Sequence, residues 1–270
     1  YEVYGMTESS GLVAIDPPAG PGRHGSVGFP LPYTQVVVRR LNADGTPGEA
    51  CRQGEVGVLT LRGPHVSPGY RNPTHNQGVF MDGTLNSGDL AFLDDTGRIH
   101  IAGRSKDLII RSGHNIDPLM IENAMQQHPA VALTAAVGIP DAYAGELPVC
   151  YVALRPGAAA TEAELRAHAE ATIAERPAWP KQIFIVDAIP VTSVGKIYKP
   201  QLRCDAATRL VTRIVREELG FATADVQVTE GGPRGMKVRV QLPVAHDAAT
   251  AQVHAALGAF LFEVEIANGA

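Results

Sequence analysis

Between Gly103 and Pro118 the chain reads Gly-Arg-Ser-Lys-Asp-Leu-Ile-Ile-Arg-Ser-Gly-His-Asn-Ile-Asp-Pro, and its patterning changes there. Before this stretch the residues pattern as short strands and turns; after it, helical and strand segments alternate. A change of hydrophobic period at one place predicts at least two separately built bodies. The apolar run Leu108 to Ile110 lies between charged clusters, and Ser112-Gly113-His114-Asn115 is a turn by composition. Arg104, Lys106, Asp107 and Arg111 crowd the boundary. Such charges either solvate a linker or meet an anionic ligand in a cleft between domains, and this stretch alone leaves both open.

With 270 residues, 45% of them apolar and 19% charged, the chain has the material for one large core or two modest ones. A net charge of −5, from 23 basic and 28 acidic residues, argues against nucleic acid as a partner. Local cations remain free to serve one small anion. Cys51, Cys150 and Cys204 are odd in number and widely spaced, so neither a disulfide framework nor a zinc site is expected. No run reaches the roughly 18 apolar residues of a membrane span, and no basic-then-apolar leader opens the chain. A reducing cytoplasm is the simplest compartment, and a homo-oligomer is left open. The chain starts at Tyr1 and reads as a piece of a longer polypeptide.

Tyr4-Gly5-Met6-Thr7-Glu8-Ser9-Ser10 puts a ring, a glycine, a hydroxyl and a carboxylate close together. A ring can stack on a base, Gly admits close backbone approach, Thr can bond a phosphate, and Glu can hold Mg²⁺ through oxygen. A hydroxyl-rich turn or helix cap is the ordinary meaning of the same residues. Gln35 to Leu41 reads as a strand, Asn42-Ala43-Asp44-Gly45 as a hairpin turn, and Val56 to Leu61 as a second strand. Turns this frequent predict an antiparallel barrel or sandwich. Asn86-Ser87-Gly88-Asp89 precedes a hairpin, Leu90 to Leu93 with Arg98 to Ala102. Asp89 is either a turn former or an acceptor for both hydroxyls of a ribose.

Past the boundary, Asp117 and Pro118 start a helix that ends near His128. Val131 to Ile139 and Val149 to Leu154 are strands, Thr161 and Glu164 form a capping box for a second helix, and Gln182 to Val186 is a further strand. With Leu108 to Ile110 counted first, the order is β-α-β-β-α-β. Next comes Pro190-Val191-Thr192-Ser193-Val194-Gly195-Lys196-Ile197-Tyr198-Lys199. It lacks periodicity, so Lys196 belongs on a loop, where a surface lysine and a ligand-reaching one look alike.

From Asp205 onward, Ala207, Leu210, Val211, Ile214 and Val215 make an apolar stripe at helical spacing, read as core. Val226 and Val228, then Met236, Val238, Val240 and Leu242, alternate with polar residues around Gly231-Gly232-Pro233. A helix near Ala248 to Leu257 and a strand near Phe260 to Ile266 complete an α-β-β-α-β unit with no assigned chemistry.

Four of these segments, in this order, resemble the signatures of the adenylate-forming acyl-CoA synthetases. Tyr4-Gly5-x-Thr7-Glu8 is similar to the family's aromatic-Gly-x-Thr-Glu motif and Ser87-Gly88-Asp89 to its Thr-Gly-Asp. Gly103-Arg104-x-Lys106-Asp107 resembles the hinge, and Pro190-x-Thr192-x-x-Gly195-Lys196-x-x-Lys199 the last signature. Ser87 stands for Thr, and Asn86 stands where the family often has Arg or Lys.

The resemblance implies that Tyr4 stacks on the adenine and Gly5 belongs to the nucleotide site, that Thr7 and Glu8 are catalytic, Thr7 contacting phosphate and Glu8 ligating Mg²⁺, and that Asp89 binds ribose. By the same resemblance Arg104 contacts the nucleotide, Lys106 is the hinge, Gly113 lines the CoA path and Lys196 is the catalytic lysine of adenylation. ATP, a carboxylic acid and CoA are the implied substrates.

The expected fold is α+β. It comprises a barrel-like remnant of a large AMP-binding domain over 1–103, a mobile β-α-β-β-α-β domain over 104–204 and an α/β extension over 205–270. The family's Ser/Thr/Gly-rich phosphate loop is missing, which implies that these residues alone have no ligase activity. Two alternatives are an adenylating ligase that passes acyl groups to a carrier protein, and a binding or oligomerisation module.

Overall fold

The computed structural model describes residues 1–19, 22–42, 45–193, 195–231, 235–243 and 247–268. The turns expected at Ala43-Asp44 and Gly232-Pro233, and Val194 of the lysine loop, lie outside them. The chain divides into two compact units, Tyr1–Lys106 and Asp107–Ala270.

The first unit is antiparallel throughout. β1 (Val3–Met6), β2 (Gly11–Ile15) and β3 (Phe29–Pro30) form one small sheet in that order. β4 (Gln35–Leu41), β5 (Pro47–Ala50), β6 (Gly57–Arg62), β7 (Phe80–Met81), β8 (Thr84–Leu93) and β9 (Ile99–Arg104) form a second. Its order is β5-β4-β6-β8-β7, with β9 also on β8. The ladder shifts register at Arg39/Leu41, Val58/Thr60 and Leu90/Ala91, and extra residues of this kind add local twist. The sheet therefore curls into a half-barrel around Val13, Val38, Leu59, Leu61, Leu85 and Ile99. β6 is buried from Gly57 to Leu61, and its one hydroxyl there, Thr60, is satisfied by donating to the Val37 carbonyl at 2.8 Å.

The second unit opens with β10 (Ile109–Arg111), β11 (His114–Ile116), α1 (Pro118–Gln126), β12 (Val131–Asp141) and β13 (Gly145–Leu154). α2 (Glu162–Thr172) and β14 (Gln182–Ile185) follow. The five strands form one sheet, order β11-β10-β13-β12, with β14 parallel to β13. The Asp117 carboxylate caps α1 by accepting from Leu119 N–H, and Thr161 with Glu164 forms a complete capping box on α2. β11 was absent from the sequence expectation because His114-Asn115-Ile116 has no strand pattern of its own; its partner β10 supplies the pairing.

Strands β12 and β13 are buried on both faces. Ala136, Cys150 and Val152 face Ile121, Met125 and Leu165 of the two helices. Val137, Ile139, Val149 and Tyr151 belong to a different cluster, with Leu202, Ala206, Leu210 and Val211. Those residues lie on α3 (Lys199–Thr212), which continues as a π-helical turn over Arg213–Glu218.

Around α3 are β15 (Asp225–Glu230), β16 (Met236–Leu242), α4 (Asp247–Leu257) and β17 (Glu263–Asn268), whose sheet order is β15-β16-β17. The extension has the expected α-β-β-α-β order and its apolar stripe is core. The sequence reading drew boundaries after Gly103 and after Cys204. Packing separates units after Lys106, and α3 runs through Cys204 without a break because its apolar face covers the sheet. Among the described residues no helix is long and apolar enough to cross a membrane.

Candidate functional site

The first unit brings three of the expected residues together. Pairing of β1 with β2 slips between Tyr4 and Gly5. A Cβ on Gly5 would lie 2.0 Å from the Gly11 carbonyl oxygen. Close strand approach is thus a sufficient reason for glycine at this position.

The Tyr4 phenol donates to Asp89 Oδ2 at 2.6 Å. Arg104, directly opposite Asp89 in the β8–β9 ladder, places Nε 3.2 Å from Oδ1. Burial, and then the Asp89 charge, raise the Tyr4 pKa well above the usual phenol range, so Tyr4 stays a donor.

The backbone of Asp89 is fixed as well. Its N–H donates to Ser87 Oγ at 3.1 Å while the Ser87 hydroxyl donates to the Leu59 carbonyl at 2.7 Å. Gly88 between them has φ +72, which favours glycine. Asn86 Oδ1 accepts the Gly88 N–H at 3.0 Å, so Asn86 serves this turn. A carboxylate offers about four lone-pair positions. Tyr4 and Arg104 occupy one on each oxygen, which leaves capacity for two further hydroxyls.

Thr7 and Glu8 lie on a 3₁₀ turn, Thr7–Ser9, between β1 and β2. The turn is anchored by buried Ser9, which donates to the Met6 carbonyl at 2.9 Å, and Thr7 is exposed. Glu8 accepts the Tyr70 hydroxyl on Oε1 at 2.5 Å. Among the described residues its other oxygen has no donor. No group of three or more His, Cys, Asp or Glu that could hold a metal ion occurs among the described residues. One fixed carboxylate with a free oxygen suits Mg²⁺, a hard cation that keeps waters and phosphate oxygens around it.

In the second unit Gly113 shares a two-residue turn with Ser112, joining β10 to β11; their φ values are +79 and +51. A Cβ at Gly113 would meet nothing within 4 Å, so backbone conformation alone calls for glycine. Lys106 closes the first unit as an exposed residue of the turn Ser105–Asp107, and Asp107 accepts from Arg203 Nη1 at 3.0 Å.

Lys196 is exposed on a loop closed at its neck by the Val191–Ile197 bridge. Thr192 N–H donates to the Lys196 carbonyl at 2.7 Å, and Lys196 N–H donates to Thr192 Oγ1 at 3.2 Å. Gly195, at φ +79, completes the turn. The signature positions Thr192 and Gly195 thereby shape the turn that carries the exposed Lys196.

Lys199 serves differently. Its Nζ lies 2.8 Å from Glu122 Oε1 in a largely buried pair that ties α3 to α1. Neither this pairing nor Tyr70's hydroxyl on Glu8 was foreseen from sequence. Lys199 was visible only as a motif position.

Residues 1–71 match the family model described as AMP-binding enzyme, and residues 120–196 match the AMP-binding enzyme C-terminal domain. The chain belongs to the adenylate-forming acyl-CoA synthetase family. It is 43% identical over 216 residues to the marinolic acid–CoA ligase of Pseudoalteromonas sp. (strain SANK 73390), a match covering 80% of this chain and 33% of the relative. Against the long-chain-fatty-acid–CoA ligase of Bacillus subtilis (strain 168) identity is 35%, covering 74% and 35%.

ATP-bound MatB from Rhodopseudomonas palustris superposes with a TM-score of 0.71 at 33% identity, covering 76% of this chain and 40% of that one. The O-succinylbenzoate coenzyme A synthetase MenE of Bacillus subtilis, in complex with ATP and magnesium ion, gives 0.64 at 31% identity, covering 74% and 40%. The chain spans about a third of the length of these two curated relatives.

Proposed function

We propose that these residues form the C-terminal part of an AMP-forming acid–thiol ligase. In its first half-reaction a substrate carboxylate oxygen attacks the α-phosphorus of ATP, forming an acyl–phosphate bond as pyrophosphate leaves. In the second, the thiol of CoA attacks the acyl carbon, AMP leaves and the thiol proton passes to solvent. Bound Mg²⁺ would offset phosphate charge, with Glu8 holding it.

Within this reading Tyr4 stacks on the adenine, Gly5 belongs to the nucleotide site, Thr7 contacts phosphate and Arg104 contacts the nucleotide. Asp89 accepts the ribose hydroxyls. Lys196 approaches the α-phosphate, where negative charge grows as the carboxylate attacks. Lys106 is the hinge between half-reactions and Gly113 lines the pantetheine path. The absence of ligase activity in these residues by themselves belongs to the same proposal.

The observation that carries the reading is the Asp89 carboxylate, pinned at Oδ2 by Tyr4 and at Oδ1 by Arg104, with acceptor capacity to spare. It is tested by AMP and 2′,3′-dideoxy-AMP affinity in the full-length enzyme and in Asp89→Ala. Hydrogen bonds to a charged group contribute about 1.5–3 kcal/mol each, so AMP binding should weaken at least tenfold in the variant. Dideoxy-AMP should bind both proteins alike. Equal loss for both nucleotides would show that Asp89 does not read the ribose.

A further inference from the structure

Tyr70 is held far more firmly than an exposed ring requires. Its edge packs against Phe80 and His75, with ring centroids at 5.4 and 6.4 Å, and its N–H donates to Asn76 Oδ1 at 2.7 Å. Gly69 before it has φ +145, and a Cβ there would come within 2.9 Å of the Asn76 amide. From this mount the hydroxyl reaches Glu8, 62 residues earlier in the chain.

Tyr70 is 38% exposed, and a hydrogen bond so near water adds little to folding stability. A carboxylate that must offer one oxygen in one direction does need a fixed donor on the other. Groups that hydrogen-bond a metal ligand orient it in this way.

We propose that Tyr70 is a positioning residue for Glu8, holding Oε1 so that Oε2 is presented as a monodentate ligand to the divalent cation that accompanies the nucleotide. The inference rests on the reading of Glu8 as the metal ligand. Without the hydroxyl the carboxylate is free to rotate, and the site loses orientation and keeps its charge.

The test uses the full-length enzyme with a non-hydrolysable ATP analogue, and Mn²⁺ binding followed by electron paramagnetic resonance. Tyr70→Phe keeps the ring contacts and removes only the hydroxyl. Loss of a partner to a metal ligand weakens metal binding by about 10–100-fold, and about tenfold is expected here. Metal-free nucleotide affinity and melting temperature should not move. Glu8→Gln should lose at least as much, and the double variant should match Glu8→Gln, since the hydroxyl acts through that carboxylate.

Wild-type Mn²⁺ binding in Tyr70→Phe alongside loss in Glu8→Gln would overturn the role of Tyr70 and leave Glu8 standing. Wild-type binding in Glu8→Gln would remove the metal-ligand reading, and the positioning role with it. A fall in melting temperature and metal-free affinity with Tyr70→Phe would show that the contact is structural, which also overturns the proposal.

Discussion

Glu146 shows how one residue joins the sheet of the second unit to its pH response. Its Oε2 accepts the Ile110 N–H at 2.9 Å, and its carboxylate fills the space over Gly138, where a Cβ would lie 2.7 Å from Cδ. Burial raises its pKa above the ordinary 4.5. For a carboxyl with a raised native pKa the folded state binds the proton more tightly. Its contribution is most favourable below the unfolded value and declines as pH rises through the folded one. Glu146→Gln keeps an acceptor for Ile110 and removes the buried charge. The variant should therefore melt higher than wild type at pH 7, with the gap closing toward pH 4; a constant gap would contradict the account. In the first unit, Gly5→Ala forces a methyl into the Gly11 carbonyl and should destabilise by about 1–3 kcal/mol in urea titration, whatever Gly5 does for a nucleotide.

Among elements, α3 depends on a contact no sequence period reveals. Lys199 and Glu122 have side chains only 16% and 12% exposed, and Glu122 Oε1 also accepts the Ala136 N–H at 2.8 Å. Removing one member of such a pair leaves a buried charge and costs about 3–5 kcal/mol, whereas replacing both can be near neutral. Lys199→Met should show that loss in denaturant unfolding, and Lys199→Met with Glu122→Gln should recover most of it. Additive losses would show that the two groups do not act as a pair. By contrast α2 was legible outright, because Thr161 and Glu164 state their cap within four residues. β5 was not: Pro47-Gly-Glu-Ala has no β-branched residue, and pairing with β4 makes it a strand. The candidate site divides similarly. Tyr4, Asp89 and Lys196 stand in local motifs, while the Tyr70 hydroxyl meets Glu8 only after folding.

For the whole molecule, the sequence read the tail beyond Cys204 as a unit of its own, since its helix and strands follow one another completely. What it could not show was the partner of those apolar faces. Alternation says that Val238 and Val240 are buried and leaves open against what. In the folded chain they share one cluster with Val137, Val149 and Tyr151 of the preceding sheet. Exposing Ile139, Val149, Tyr151 and Leu202 at about 1.5–3 kcal/mol each costs about as much as the entire margin of a typical domain, about 5–15 kcal/mol. A chain ended after Cys204 should therefore lose the cooperative melting of the second unit and bind a hydrophobic dye. A sharp transition retained by the truncated chain would contradict the shared core.

In the proposed reaction the exposed amine of Lys196, on its closed turn, neutralises charge at the α-phosphate. At about 4 Å and an effective dielectric near 20 such a contact is worth roughly 4 kcal/mol, or nearly a thousandfold in rate. The direct measurement is both half-reactions of the full-length enzyme carrying Lys196→Ala. Adenylate formation should fall by about a thousandfold while thioester formation from preformed acyl-AMP stays within a few-fold of wild type; equal losses in the two would contradict the account.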